Sequence, residues 1–226
     1  MILKQFFSAL SYIFHPLFMP ILGVYILLMV PSMPITFNRL DALYYFPPVV
    51  KQYLFIVLGI LTIIAPLLSL IIMYYNRIIT NFKLEVREER FYPYLLVAFY
   101  YLLAYFFVRK QLPLDYQHPA LLGFLFGILL VVIICLLLNF YIKISLHAAA
   151  IYGVCGMLIG YSQTQLSADL SGLATNIYII LYLLLVAALV TGARAYLKSH
   201  KIPEILIGGL IGFTITFFTV KYGIYI

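Results

Sequence analysis

Tryptophan is absent from this chain of 226 residues, cysteine occurs twice, and only seven residues are Asp or Glu. Each shortage excludes something. A soluble domain carries about a quarter of its residues as charges, because its surface must face water. Here 9% are charged, too few to cover a water-facing surface. Two cysteines, Cys135 and Cys155, both inside apolar runs and without metal-ligand spacing, exclude a disulfide framework and read as small core residues. No basic stretch interleaved with aromatics suggests a nucleic-acid surface, and no low-complexity tract, repeat or soluble domain interrupts the chain. The simplest organisation is one integral-membrane domain over residues 1–226.

What is present is apolar. Hydrophobic residues make up 65% of the chain, and the mean hydropathy is +1.10. Seven apolar segments lie at about 10–30, 53–75, 92–108, 119–141, 147–162, 175–193 and 204–220. Tyr (21) and Phe (18) cluster near many segment ends, so Tyr takes the interfacial place that Trp would share. The expected fold is an all-α polytopic membrane bundle of six to seven transmembrane helices. The first segment has a short basic start and contains His15, Pro16 and Pro20. It lacks a small-residue cleavage pattern and reads as a retained segment, kinked or partly re-entrant, rather than a signal peptide. The third segment is short, which suggests tilt or tight pairing with the fourth. The linker at 31–52, rich in Pro and Tyr, is expected along the interface.

Polar residues gather in three islands: NRIITNFKLEVREER at 76–90, KISLH at 143–147 and TGARAYLKSHKIPE at 191–204. They follow the second, fourth and sixth segments. An even number of crossings separates each pair, so all three face one side of the membrane. That side collects Lys83, Arg90, Ser145, His147, Arg194, His200 and Glu204. Guanidinium groups grip phosphate oxygens bidentately, an ammonium adds a compact charge, and a hydroxyl donates one more hydrogen bond. Two histidines divide nucleophile from general acid, and a carboxylate fixes the tautomer of one of them. Glu204 follows His200 by four residues, and Pro203 suits a first helical turn.

The islands resemble the signature of the type 2 phosphatidic acid phosphatase superfamily, which includes membrane lipid phosphatases and vanadium haloperoxidases. Its first motif, Lys, six residues, then Arg-Pro, corresponds to Lys83-LEVREE-Arg90, with Phe91 in place of Pro. Its Pro-Ser-Gly-His corresponds to Ile144-Ser145-Leu146-His147. Its Ser-Arg, five residues, His, three residues, Asp corresponds to Ala193-Arg194, His200 and Glu204. The resemblance covers about 83–212, including GGLIG after the third motif.

What the resemblance implies is a lipid phosphatase that hydrolyses a phosphomonoester or diphosphate without metal or other cofactor. His200 attacks phosphorus, and His147 protonates the leaving group. Glu204 orients His200, while Lys83, Arg90, Ser145 and Arg194 hold the phosphoryl oxygens. The departures bear on each part: Leu146 for Gly restricts backbone approach, and Glu204 for Asp lengthens the orienting arm. The implied partners are the bilayer and a membrane lipid phosphate, with no nucleic acid. Two other classes compete. A phosphotransferase would resolve the same phosphohistidine with an alcohol, and a transporter or non-catalytic protein would leave the motif match as coincidence. A transporter places charges within its spans, whereas these gather at one surface.

Duller readings stand beside these. Lys83 and Arg90 pair with Glu85, Glu88 and Glu89 as interfacial charges; Ser145 is a helix N-cap; His147 is structural; His200 is a loop residue. Arg87 and Lys198 have no motif role, and His15 and His118, each before proline, receive no catalytic role. Nine cations fall on the motif side and five on the other, which by the positive-inside rule places the motifs in the cytoplasm. Without Lys83, Arg90, Lys143 and Arg194 the count is five against five. The family's bacterial lipid phosphatases usually face the periplasm, and the resemblance implies that orientation in a bacterial inner membrane.

Overall fold

A backbone surrounded by lipid must bond its own N–H and C=O groups, so apolar runs of this length become helices. The computed structural model of the chain describes residues 2–31, 42–82, 84, 86–164 and 170–226. Among the described residues there is no strand. The helices are α1 (Ile2–Ile13), α2 (Met19–Met29), α3 (Pro48–Leu58), α4 (Ala65–Tyr75), α5 (Phe91–Gln111), α6 (Pro119–Leu138), α7 (Leu146–Ser162), α8 (Leu170–Tyr196) and α9 (Ile202–Lys221). Among the described residues six stretches are long and apolar enough to cross a bilayer; α7, at 17 residues, is shorter. The protein is an all-α polytopic membrane bundle.

The kink expected in the first segment, and two departures from the hydropathy reading in the second and third, have local causes. The first segment breaks between α1 and α2: His15 is extended, and a 3₁₀ turn at Pro16–Phe18 follows. Proline cannot supply the N–H that a continuous helix needs at that point. The second segment starts at Pro48, five residues before the sequence placed it, since Pro suits a first turn. It runs to Tyr75 through a π-helical turn at Gly59–Ile64. Pro66 lies just beyond, where its missing N–H and the crowded carbonyl four residues back are relieved by the wider turn. The third segment, α5, has 21 residues and needs no special tilt to span. Of the 31–52 linker, residues 32–41 lie outside the described residues; Leu43–Tyr45 forms a 3₁₀ turn ahead of α3.

The centre of the bundle is α7, whose side chains from Ala148 to Tyr161 are mostly buried. Among lipid tails apolar burial does not drive helices together, so close packing of small residues must. Here α9 lies directly on α7. A Cβ at Gly212 would stand 1.9 Å from the Ala149 carbonyl oxygen, and one at Gly208 would stand 2.6 Å from that of Ser145. Thr216 Oγ1 donates to the Gly153 carbonyl across the same seam at 2.7 Å. Cys135 and Cys155 are free and buried, packing as small core residues. The α7–α9 seam has a functional consequence: it brings the N-termini of both helices, with the second and third polar islands, to one end of the bundle.

Candidate functional site

At that end a cavity of ≈ 650 Å³ opens between the helices. Arg90, His147, Arg194 and His200 all line it, so residues from the three islands meet in one place. Lys83 lies outside the described residues. Ser145 and Glu204 stand behind the wall and act on it indirectly.

His200 sits two residues before α9, in the turn after α8. Its Nδ1 lies 3.0 Å from Glu204 Oε2, and its side chain is 3% exposed against 19% for the carboxylate. The spacing of four suggested two positions on one helix face, but the helix begins only at Ile202. Glu204 instead occupies the third helical position and reaches back toward the preceding turn. The same Oε2 accepts from the Lys201 N–H at 3.2 Å, as in a capping box. A carboxylate only accepts, so the His200 proton is on Nδ1 and the Nε2 lone pair is left free. Burial pushes the His200 imidazole down to about 4, reinforced by the positive charge of Arg90 and opposed by Glu204. At neutral pH it is therefore an uncharged base.

The two arginines differ in how they are held. Arg90 is 5% exposed; its Nε donates to the Leu84 carbonyl at 2.8 Å and its Nη1 to that of Ile144 at 3.3 Å. The first bond closes the first island on itself, and the second ties it to the second island. Leu84 adopts a left-handed conformation (φ 49°) to aim its carbonyl there, a strain of about 1 kcal/mol or more for a residue with a Cβ. The alternative pairing of Arg90 with Glu88 and Glu89 does not form, and Glu85 lies outside the described residues. Glu89 accepts from the Thr80 backbone and hydroxyl, and Glu88 pairs with Arg87. Arg194 Nε is buried and has no hydrogen-bond partner among the described residues. A buried guanidinium donor without an acceptor is costly, and an anion in the cavity would satisfy it.

Ser145 is fully buried and caps α7, its Oγ accepting from the Ala148 N–H at 3.4 Å. Its own N–H donates to the Glu204 carbonyl at 3.3 Å. The hydroxyl is thus engaged in the helix start, the N-cap role that Ser favours. His147, in the first turn of α7, has Nε2 3.1 Å from the Ser11 carbonyl oxygen. A carbonyl accepts, so Nε2 carries a proton and any second proton belongs on Nδ1.

Sequence reasoning missed the N-terminal segment. Ser11 on α1 and His15 just after it both line the cavity. The His15 ring stands edge-on to that of His147, with centroids 5.5 Å apart and planes at 82°. The signal that points to it is the His-Pro step itself, a cap that turns the chain. His118-Pro119 makes the same cap at the start of α6, its Nδ1 accepting from the Ala120 N–H at 3.1 Å. Lys4, Lys143 and Lys198 also line the cavity, Lys198 in a left-handed turn (φ 53°), while no carboxylate lines it among the described residues. Its deeper wall is apolar, with Val97, Tyr101, Phe124, Ile128, Val132 and Val154. Among the described residues no three His, Cys, Asp or Glu side chains gather as a metal site.

The arrangement combines a base with a free lone pair, a second histidine, a buried and a half-buried arginine without acid partners among the described residues, and an apolar recess. Such a site suits an anion that carries an apolar group. Comparison with known proteins does not narrow that chemistry: no family model, no curated protein and no solved structure matches the chain.

Proposed function

We propose that the protein is a membrane lipid phosphatase that cleaves a lipid phosphate ester through a phosphohistidine at His200. The observation that carries this reading is the His200–Glu204 pair beside Arg90 and the orphaned Arg194 Nε–H on one cavity. Two guanidinium groups hold the phosphoryl oxygens and stabilise the charge that develops on them. The apolar recess accommodates the hydrocarbon adjoining the ester.

The His200 Nε2 lone pair attacks phosphorus, and the bond from phosphorus to the lipid oxygen breaks. That oxygen takes a proton from Nδ1 of His147, whose Nε2–H stays on the Ser11 carbonyl. A monoanionic phosphate supplies the proton that His147 needs when it binds. Glu204 stabilises the cationic imidazole formed on His200. Water then attacks the phosphohistidine, giving its proton to His147, and the phosphorus–nitrogen electron pair returns to Nε2. Lys83, by its place in the first motif, and Ser145, through the α7 cap, complete the phosphate-binding group in this reading. The motif side faces the periplasm of a bacterial inner membrane.

The test is release of inorganic phosphate by the purified protein from mixed micelles of phosphatidic acid, phosphatidylglycerol phosphate and an isoprenyl diphosphate. Release from one of these, abolished in His200→Ala, supports the reading. Equal release by native protein and His200→Ala overturns it.

A further inference from the structure

We propose that His15 is a third histidine of this site, donating its Nε2–H to the phosphoryl group held between His147 and the arginines. This rests on the reading that the cavity takes a phosphate ester. The N-terminal segment lies outside the three motifs, and its geometry is built for contact with them.

The cap decides which nitrogen His15 offers. Its Nδ1 accepts the Leu17 N–H at 3.4 Å, closing the turn that starts at Pro16. A neutral imidazole whose Nδ1 accepts must carry its proton on Nε2. The ring lines the cavity beside His147, and Arg194 is within electrostatic reach of both. The other ionisable residues that line the cavity are lysine, arginine, histidine and tyrosine. A donor on that wall meets an anion, not a competing carboxylate. Ser11, four residues earlier, already holds His147 Nε2–H through its carbonyl, so one short stretch fixes a tautomer and supplies a donor. The break at Pro16 makes both possible: a straight helix would spend the Ser11 carbonyl on its own backbone.

The experiment uses the full chain in lipid nanodiscs with ¹⁵N-labelled histidine, titrated with inorganic phosphate. Phosphate release from phosphatidic acid in mixed micelles is measured in parallel. A lost hydrogen bond to a charged group weakens binding by roughly ten-fold or more. His15→Phe, which keeps an aromatic ring without the donor, is expected to weaken phosphate binding by that factor and to raise KM for the lipid. His15→Gln, which keeps an N–H donor, is expected to recover most of both. The native His15 Nε2 resonance should move on phosphate addition while that of His118 stays. An unmoved His15 resonance, or His15→Phe equal to native in both arms, overturns the proposal and leaves the phosphatase reading intact. Native protein that neither binds nor releases phosphate overturns both. Phosphate bound from solution with the His15 resonance moved, but without lipid turnover, supports the His15 contact while removing the lipid phosphatase reading.

Discussion

Replacing Glu204 with Gln removes one charge and keeps the shape of the arm that holds His200. Two contacts end on Glu204 Oε2: His200 Nδ1 at 3.0 Å and the Lys201 N–H at 3.2 Å. A Gln oxygen placed there accepts from both, so the His200 tautomer and the start of α9 survive. What is lost is the attraction between a carboxylate and the cationic imidazole that exists only once phosphorus is bonded to Nε2. A hydrogen bond to a charged group is worth about 1.5–3 kcal/mol and a neutral one about 0.5–1.5 kcal/mol. The difference, about 1–2 kcal/mol, corresponds to a roughly five- to thirty-fold fall in kcat/KM. Titration of His200 cannot be the cause. Its proton affinity is already low, and removing Glu204 lowers it further, leaving the imidazole neutral across the working range. The assay is phosphate release at constant lipid mole fraction, with the phosphohistidine level at steady state. Glu204→Ala should fall further, because the Lys201 N–H loses its acceptor, a change of about 1 kcal/mol in stability. Full activity in Glu204→Gln, or a loss as complete as that of His200→Ala, would refute this account of the carboxylate.

Further outcomes follow from the same geometry. In the free protein the His200 imidazole should titrate near 4 by ¹⁵N NMR, with Arg90→Gln moving it up and Glu204→Gln moving it down. Because the folded value lies below the ordinary 6.5, the unfolded chain binds the proton more readily. Stability from this group is therefore complete above about pH 6.5 and is lost as pH falls toward 4. His147→Ala should slow cleavage of alkyl phosphates by about 10²–10⁴-fold and p-nitrophenyl phosphate by much less, because a good leaving group needs no proton. Gly212→Ala drives a Cβ against the Ala149 carbonyl and should cost about 1–3 kcal/mol in thermal unfolding. Gly192→Ala on α8, with open space around it, should be neutral or stabilising.

Much of the architecture is legible because it depends on local pattern. Runs of lipid-compatible residues mark the helices, and alternation of sides between them gathers three polar islands at one end without any knowledge of packing. His200 and Glu204 are also visible as a pair by spacing, although their contact is made by a cap and not by one helix face. The sequence pattern of Ser145 fits both phosphate binding and a helix cap, and its hydroxyl caps α7. The N-terminal contribution was hidden. The contact between His147 and the Ser11 carbonyl spans 136 residues, and it exists because the chain turns at Pro16 and lays α1 against α8, with Phe7 and Tyr196 rings 4.9 Å apart. Nothing in the periodicity of residues 2–13 encodes that destination. The π turn before Pro66 and the left-handed Leu84 are hidden in the same way, since one relieves crowding at a proline and the other aims a carbonyl at Arg90, and local propensity registers neither.

The central claim is that His200 becomes covalently bonded to phosphorus. Native protein is mixed with lipid phosphate carrying ³²P, quenched in alkali, where phosphohistidine persists, and digested for mass spectrometry. The account predicts label on the peptide containing His200, lost on acid treatment, absent from His200→Ala and accumulated in a variant whose water step is slowed, such as His147→Ala with p-nitrophenyl [³²P]phosphate. Steady release of phosphate by His200→Ala, or label on any other residue, would contradict it.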